Sequence, residues 1–154
     1  MLTEEERREI EHELRASPTP QAVVPDALKI VQKRRRWVSD EAVRDVADFL
    51  GLTPAEVDGV ATCYNLIFRR PVGRHVILLC DSLSCYATGY EDVFAHLKSR
   101  LGIDMGQTTA DDRFTLLPIA CLGACELAPA LMIDDDLHGD LTPAKVDEVL
   151  ANYA

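Results

Sequence analysis

The 154-residue sequence contains no Cys-x-x-Cys, no G-x-G-x-x-G and no G-x-x-x-x-G-K. The first absence argues against a thiol–disulfide oxidoreductase, whose redox thiols are tuned by that spacing. The other two leave the chain without a recognisable flavin, dinucleotide or nucleoside-triphosphate site of its own. Its cysteines, Cys63, Cys80, Cys85, Cys121 and Cys125, number five, so complete pairing in internal disulfides is impossible. Aromatic residues make up only 6%. Trp37 and Tyr64 read as packing residues rather than cofactor contacts. The opening residues lack a basic segment followed by an apolar one, so no secretory signal is expected. A cytosolic setting follows, in which clustered cysteines read as metal-binding or catalytic.

No stretch reads as a membrane span. The nearest candidate, Leu116 to Ile133, carries Glu126 as its one charge. It is interrupted by Pro118, Gly123 and Pro129, which a lipid-exposed helix would not tolerate. It reads as strand, loop and strand of a core. Basic potential is lacking where it would matter: residues 73–154 hold thirteen acidic and five basic groups. That excludes nucleic acid or anionic lipid as a partner of this half.

What is present is an amphipathic helical leader. Thr3 with Glu6 fits a capping box, followed by Ile10 and Leu14 at helical spacing. Ser17-Pro18-Thr19-Pro20 is a break. A second helix is expected over about 21–34, with Pro25 near its start, where a missing N–H costs least. Ser39 caps a third, bearing Val43, Val46, Ala47 and Leu50, and Gly51 ends it. Thr53-Pro54-Ala55-Glu56 opens a fourth, with Val57, Val60, Ala61 and Tyr64. Short connections make these an antiparallel bundle over residues 1–72.

Residues 73–154 change character. Val76 to Leu79 is an unbroken apolar run, expected as a strand buried on both faces, and it ends at Cys80. A loop leads to Cys85. One helix follows, with Tyr90, Val93, Phe94, Leu97 and Leu101, closed by Gly102. Phe114 to Ile119 is a strand leading to Cys121, then a loop through Gly123 to Cys125. Pro129 precedes a strand at 130–133. Acidic residues and Gly139 make a turn, and Thr142-Pro143 opens the last helix. The order strand, helix, strand, strand, helix gives an α/β domain of thioredoxin-like type, so the whole chain is α+β.

The chemistry sits in Cys80-x4-Cys85 and Cys121-x3-Cys125, each pair beginning where a buried strand ends. Two pairs of thiolates on two loops suit a [2Fe–2S] cluster, which takes four sulfur ligands. Zinc, which more often uses tighter gaps, stays open as the centre of a structural interaction module, and so does no metal at all. Cys63 stands apart in the helical half and reads as a small buried hydrophobe. His12, His75, His96 and His138 show no metal spacing. Asp81 and Glu126 flank ligand candidates and would oppose reduction if they faced a cluster.

The chain resembles the 24 kDa-type subunit family of respiratory complex I, the E-type subunits of NADH:quinone oxidoreductase. The likeness runs through Ala27-Leu28-Lys29-Ile30-Val31-Gln32, Trp37-Val38, Val60-Ala61-Thr62, Pro71-Val72-Gly73-Arg74-His75-Val76 and Cys80-Asp81-Ser82. It continues in Gly106-Gln107-Thr108-Thr109, Arg113 to Pro118, and Cys121-Leu122-Gly123-x-Cys125 with Pro129. The resemblance implies a helical bundle followed by a thioredoxin-like [2Fe–2S] ferredoxin domain, with Cys80, Cys85, Cys121 and Cys125 as ligands. It implies docking on a flavin subunit of the F type, which binds NADH and FMN, among other peripheral-arm subunits. That places the chain on the cytoplasmic side of the inner membrane, with electron transfer as its role. Equivalent subunits serve NAD-linked hydrogenases and formate dehydrogenases. Two positions depart from the family pattern: Cys63 stands where an aromatic is usual, and Arg36 where glycine is common. If residue 36 needs a positive φ, arginine there is strained.

Overall fold

The computed structural model describes residues 1–153. The chain divides into two compact units, Met1–Pro71 and Val72–Ala154.

In the first unit, local capping chemistry sets where each helix begins. The Thr3 hydroxyl accepts from the Glu6 N–H and the Glu6 carboxylate accepts from the Thr3 N–H, opening α1 (Glu4–Ala16). α2 (Pro20–Arg35) places proline at its first position, where no N–H is missed. Pro25 lies deeper than the sequence suggests, in the second turn of α2, so its missing N–H interrupts the helical ladder rather than an unpaired end. α3 (Asp40–Leu50) starts on the Ser39 hydroxyl, which accepts from the Ala42 N–H, and ends on Gly51 at φ 68°. α4 (Pro54–Cys63) repeats the capping box with Thr53 and Glu56. The inward faces meet in one apolar core that includes Ile10, Leu28, Val31, Val46 and Val57, each fully buried.

Two polar ties order this unit. The Gln32 amide donates to the Leu66 carbonyl at 2.8 Å and accepts from the Phe68 N–H at 2.7 Å. It thereby holds the segment after α4 against α2. Arg69 reaches Asp40 at 2.7 Å, Asp58 at 2.9 Å and the Val38 carbonyl, linking the start of α3 to the middle of α4. Trp37 is half-buried, consistent with packing. Tyr64 is not a packing residue: it follows the last turn of α4 and is 48% exposed. A helical period that includes residue 64 overruns the helix by one residue.

Glu6 is the one fully buried carboxylate among the described residues. Arg35 meets it in a fork, Nε to Oε1 at 2.9 Å and Nη2 to Oε2 at 2.7 Å, which couples α1 to the end of α2. Burial pushes the Glu6 carboxyl up. The Arg35 guanidinium and the Thr3 N–H outweigh that and hold it below the ordinary range.

The second unit is a four-stranded sheet in the order β2-β1-β3-β4. β1 (His75–Cys80) runs parallel to β2 (Phe114–Ile119) and antiparallel to β3 (Leu131–Ile133), and β4 (Asp136–His138) closes the edge against β3. The parallel pair is joined through α5 (Leu83–Thr88) and α6 (Tyr90–Leu101), and α7 (Pro143–Ala151) follows β4. Residues 76–80 of β1 are all buried, as an uninterrupted apolar run in a central strand requires. Two differences from the pattern expected of the sequence have physical causes. The single helix expected after Cys85 is two, divided at Gly89 with φ 125°, and the first begins before Cys85 rather than after it. β4 is an additional strand. Its three residues form a hairpin across the acidic turn, too short for a two-residue period to register. At the start of β1, Gly73 donates its N–H to the buried Thr115 hydroxyl at 2.6 Å. A β-carbon at Gly73 would meet the Phe114 backbone carbon at 3.0 Å. Among the described residues, no helix is long and apolar enough to cross a membrane.

Two stability predictions arise in the first unit. Glu6→Gln leaves the Arg35 guanidinium half-paired and should destabilise this unit by about 3 kcal/mol in denaturant titration. Because the folded Glu6 pKa is depressed, its contribution is present at neutral pH and is lost as pH falls through the carboxylate range. Wild type should therefore lose more stability than Glu6→Gln between pH 6 and about 3. Arg36, which ends α2, adopts φ 72°, the left-handed conformation in which a β-carbon is unfavourable. Arg36→Gly should raise the unfolding midpoint, with a net gain of about 0.5–1 kcal/mol.

Candidate metal centre

The site begins with strand register. β1 and β2 pair in parallel, with Cys80 opposite Ile119, so both strands end at the same edge of the sheet. The Asp81 N–H donates to the Ile119 carbonyl at 3.1 Å, which keeps the two exits side by side. β3 enters at the same edge: the Cys80 N–H donates to the Ala130 carbonyl at 3.2 Å. The chain after β1, the chain after β2 and the chain before β3 therefore converge there, and all four candidate cysteines lie on these three segments.

Cys80 is the last residue of β1 and is buried. Cys85 lies on α5, not on a loop, and is 2% exposed. Cys85 falls in the first turn of that helix, and its thiol has Cys80 as a neighbour. Cys121 and Cys125 are exposed. Their loop turns at Gly123, whose φ of 75° suits glycine. The Gly123 N–H donates to the Cys121 Sγ at 3.3 Å. Cys125 opens a single 3-10 turn, Cys125–Leu127, in which the Leu127 N–H donates to the Ala124 carbonyl at 3.0 Å.

The Cys85 thiol has two of the other candidate thiols as neighbours. Burial, followed by the neighbouring Cys80 thiol, pushes the Cys85 pKa up to about 11, and the charge of Cys125 adds to the rise. A backbone hydrogen bond at Ala130 acts in the opposite direction. Cys121 enters by connectivity, four residues before Cys125 on the same loop. Among the described residues, no three His, Cys, Asp or Glu side chains converge as they would around a single metal ion.

The donor set is soft sulfur, two buried and two exposed, with an N–H donor already directed at one sulfur. These features fit an iron–sulfur cluster, whose thiolate ligands are tuned by such hydrogen bonds. Ionising buried thiols that face one another is unfavourable in the protein alone, and a cationic centre offsets that cost by binding the thiolates.

Other residues singled out by the sequence lie elsewhere. Cys63 is exposed at the end of the helical unit, not buried as its small size suggests. Each histidine has a local partner: His75 with Asp134 at 2.7 Å, His96 with Asp147 at 3.1 Å, His138 with the Tyr153 hydroxyl at 2.9 Å, and His12 with Glu13 at 3.5 Å. Asp81 and Glu126 are solvent-exposed. After burial, which contributes most, the charge of Asp81 helps raise the Tyr90 pKa. Sequence reasoning missed Ala130, whose backbone meets both Cys80 and Cys85. Only strand pairing reveals it.

The family described as thioredoxin-like [2Fe–2S] ferredoxin matches residues 10–154. The E subunit of NADH-quinone oxidoreductase from Pseudomonas aeruginosa is 54% identical over 153 residues, covering 99% of this chain and 92% of that protein. Its namesake from Escherichia coli (strain K12) is 51% identical over 152 residues, with the same coverage. Among solved structures, an NAD+-reducing [NiFe]-hydrogenase in its H2-reduced state superposes with a TM-score of 0.75 at 25% identity, over 89% of this chain and 23% of the hydrogenase chain. The chain thus spans about a quarter of that hydrogenase chain's length. A strand edge carrying four cysteines, a thioredoxin-like sheet and relatives alike over nearly their full length lead to one placement: the chain belongs to the thioredoxin-like [2Fe–2S] ferredoxin family, and within it to the E subunits of NADH-quinone oxidoreductase.

Proposed function

We propose that this chain is the electron-transfer E subunit of an NADH:quinone oxidoreductase, and that Cys80, Cys85, Cys121 and Cys125 are the ligands of its [2Fe–2S] cluster. Residues 1–72 form its helical domain and residues 73–154 the domain that holds the cofactor. The observation that carries the reading is the convergence, at one end of the parallel strand pair, of the segments that bear the four cysteines, in a chain 54% identical to an E subunit over 99% of its length. Held by these four thiolates, the cluster would supply one-electron chemistry toward the FMN of a partner subunit of the F type that also binds NADH.

The chain's own residues have defined tasks. Cys80 and Cys85 close the inner side and exclude water from it, being 3% and 2% exposed. Cys121 and Cys125 form the outer side. The Gly123 N–H donates to the Cys121 sulfur at 3.3 Å, the kind of hydrogen bond that orients and tunes a metal-binding sulfur. The chain contributes no nicotinamide or flavin site. It acts beside other peripheral-arm subunits, on the cytoplasmic side of the inner membrane and without spanning it.

The hydrogenase superposition supports a second reading, the equivalent diaphorase subunit of an NAD-linked hydrogenase. Purification of the native complex separates the two. NADH-dependent quinone reduction supports the first reading, and hydrogen-dependent NAD+ reduction the second.

Anaerobically purified chain should carry about two irons and two acid-labile sulfides. Serine at Cys80, Cys85, Cys121 or Cys125 should lower that content, and Cys63→Ser should leave it unchanged. One zinc and no sulfide would falsify the assignment. Alkylation followed by peptide mass spectrometry gives an independent check. In iron-free chain at pH 8, Cys63, Cys121 and Cys125 should react quickly and the buried Cys80 and Cys85 slowly. Cluster loading should protect Cys121 and Cys125 but not Cys63. The raised Cys85 pKa also gives a pH signature. Between pH 9 and 11 the unfolded chain releases the Cys85 proton while the folded iron-free chain keeps it, so folded stability should fall as pH rises through that window. Cys85→Ala should lessen that fall.

A further inference from the structure

The exposed ligand loop needs a support, since neither Cys121 nor Cys125 belongs to a strand or an α-helix. The contacts come from the segment between β4 and α7. The Asp140 N–H donates to the Leu127 carbonyl at 2.6 Å, and the Leu141 N–H donates to the Pro129 carbonyl at 3.1 Å. Gly139 lies where these two stretches of chain approach most closely. A β-carbon there would lie 2.4 Å from the Leu127 Cβ and 2.7 Å from the Leu127 carbonyl oxygen. Both distances are far inside van der Waals contact. Neither obstructing atom is the flexible end of a side chain: one is backbone and the other is bonded directly to it. Gly139 has no positive φ, so its glycine is not demanded by backbone conformation. It is demanded by proximity. Any larger residue must push the Cys125–Leu127 turn away from the 139–141 segment, or push that segment away from the turn.

The geometry points to Gly139 as a positioning residue for the metal centre: its missing side chain lets the Cys125–Leu127 turn settle against the β4–α7 connection and so sets where Cys125 stands relative to Cys80 and Cys85. This rests on the ligand assignment made above. Gly139 touches no sulfur, and it acts through Leu127, two residues beyond Cys125.

A comparison within the same unit separates positioning from general stability. Gly73 is also crowded by backbone, where a β-carbon would lie 3.0 Å from the Phe114 carbon and 3.1 Å from the Arg113 carbonyl oxygen, but it precedes β1, at the end of the sheet opposite Cys80. Full-length Gly139→Ala and Gly73→Ala, each loaded with iron and sulfide, should be compared with wild type. The readouts are the paramagnetic signal of the reduced cluster, its midpoint potential, and the rate of cluster loss to a chelator. Gly139→Ala should shift the signal and the potential and speed cluster loss about tenfold, the lower range for disturbed ligand support. Gly73→Ala should lower the thermal midpoint while leaving the signal and potential at wild-type values. Identical signals, potentials and loss rates in Gly139→Ala and wild type overturn the proposal, as does an equal spectral shift in Gly73→Ala. If Gly139→Ala yields no folded chain, Leu127→Gly in the otherwise native chain decides, because it keeps Gly139 and removes the Leu127 β-carbon that seats the turn against it. A shifted signal with faster cluster loss supports the proposal, and wild-type signal, potential and loss rate overturn it. Wild type that binds no iron would instead remove the ligand assignment, an outcome distinct from all of these.

Discussion

The parallel register of β1 and β2 is the constraint on which the site depends. With Cys80 opposite Ile119, two segments separated by more than thirty residues leave the sheet at one edge, and the entry of β3 at that edge adds a third. A one-residue slip would turn every side chain of the slipped strand to the other face. It would also separate Cys80 from the loop that carries Cys121 and Cys125. Register is well determined here because residues 76–80 are buried and Phe114 and Leu116 of β2 are fully buried. The same apolar residues that make the core therefore set the spacing of the candidate metal centre. Replacing them would damage the core and the placement of the cysteines together.

The four thiols differ in their surroundings, and the difference follows from the elements that hold them. Cys80 and Cys85 belong to a strand and a helix, whose backbone groups are satisfied internally, so they lie deep at little cost. Cys121 and Cys125 belong to irregular chain, whose amides need other partners and which therefore runs at the surface. Gly123 directs one such amide at sulfur, and the 3-10 turn uses another within the loop. Cys80 and Cys85 are held by secondary structure. The turn that Cys125 opens is held by the contacts of Leu127 and Pro129 with residues 140–141.

Much of this was legible in the sequence, and the misses share a cause. Capping chemistry is local, so Thr3 with Glu6, Ser39, Gly51 and Thr53 with Glu56 mark helix ends correctly. Residue 36, where the family pattern favours glycine, does take a positive φ, 72°. The cysteine spacing pointed to a shared centre, but the sequence could not show that Cys85 lies on a helix or that the Ala130 backbone meets two of the cysteines. Those facts depend on strand pairing between residues fifty apart. The burial assigned to Tyr64 failed because periodicity reports a helix face and not where the helix ends, and that assigned to Cys63 failed because it rested on residue type alone. β4 escaped because three residues carry too little pattern.

The two arginines at the end of α2 show why local strain persists in such a design. Arg36 takes a conformation that favours glycine, yet Arg35 beside it closes the fork on the buried Glu6. The left-handed residue turns the chain out of α2 directly after Arg35. The helix thus stops with the Arg35 guanidinium aligned on α1, and the Gln32 amide one turn earlier holds residues 66–68. Strain of about 1 kcal/mol at residue 36 is small beside the cost, about 3 kcal/mol, of leaving a buried carboxylate or its partner unpaired. The pairing of Glu6 with Arg35 decides the path of the chain, and the backbone at residue 36 accommodates it.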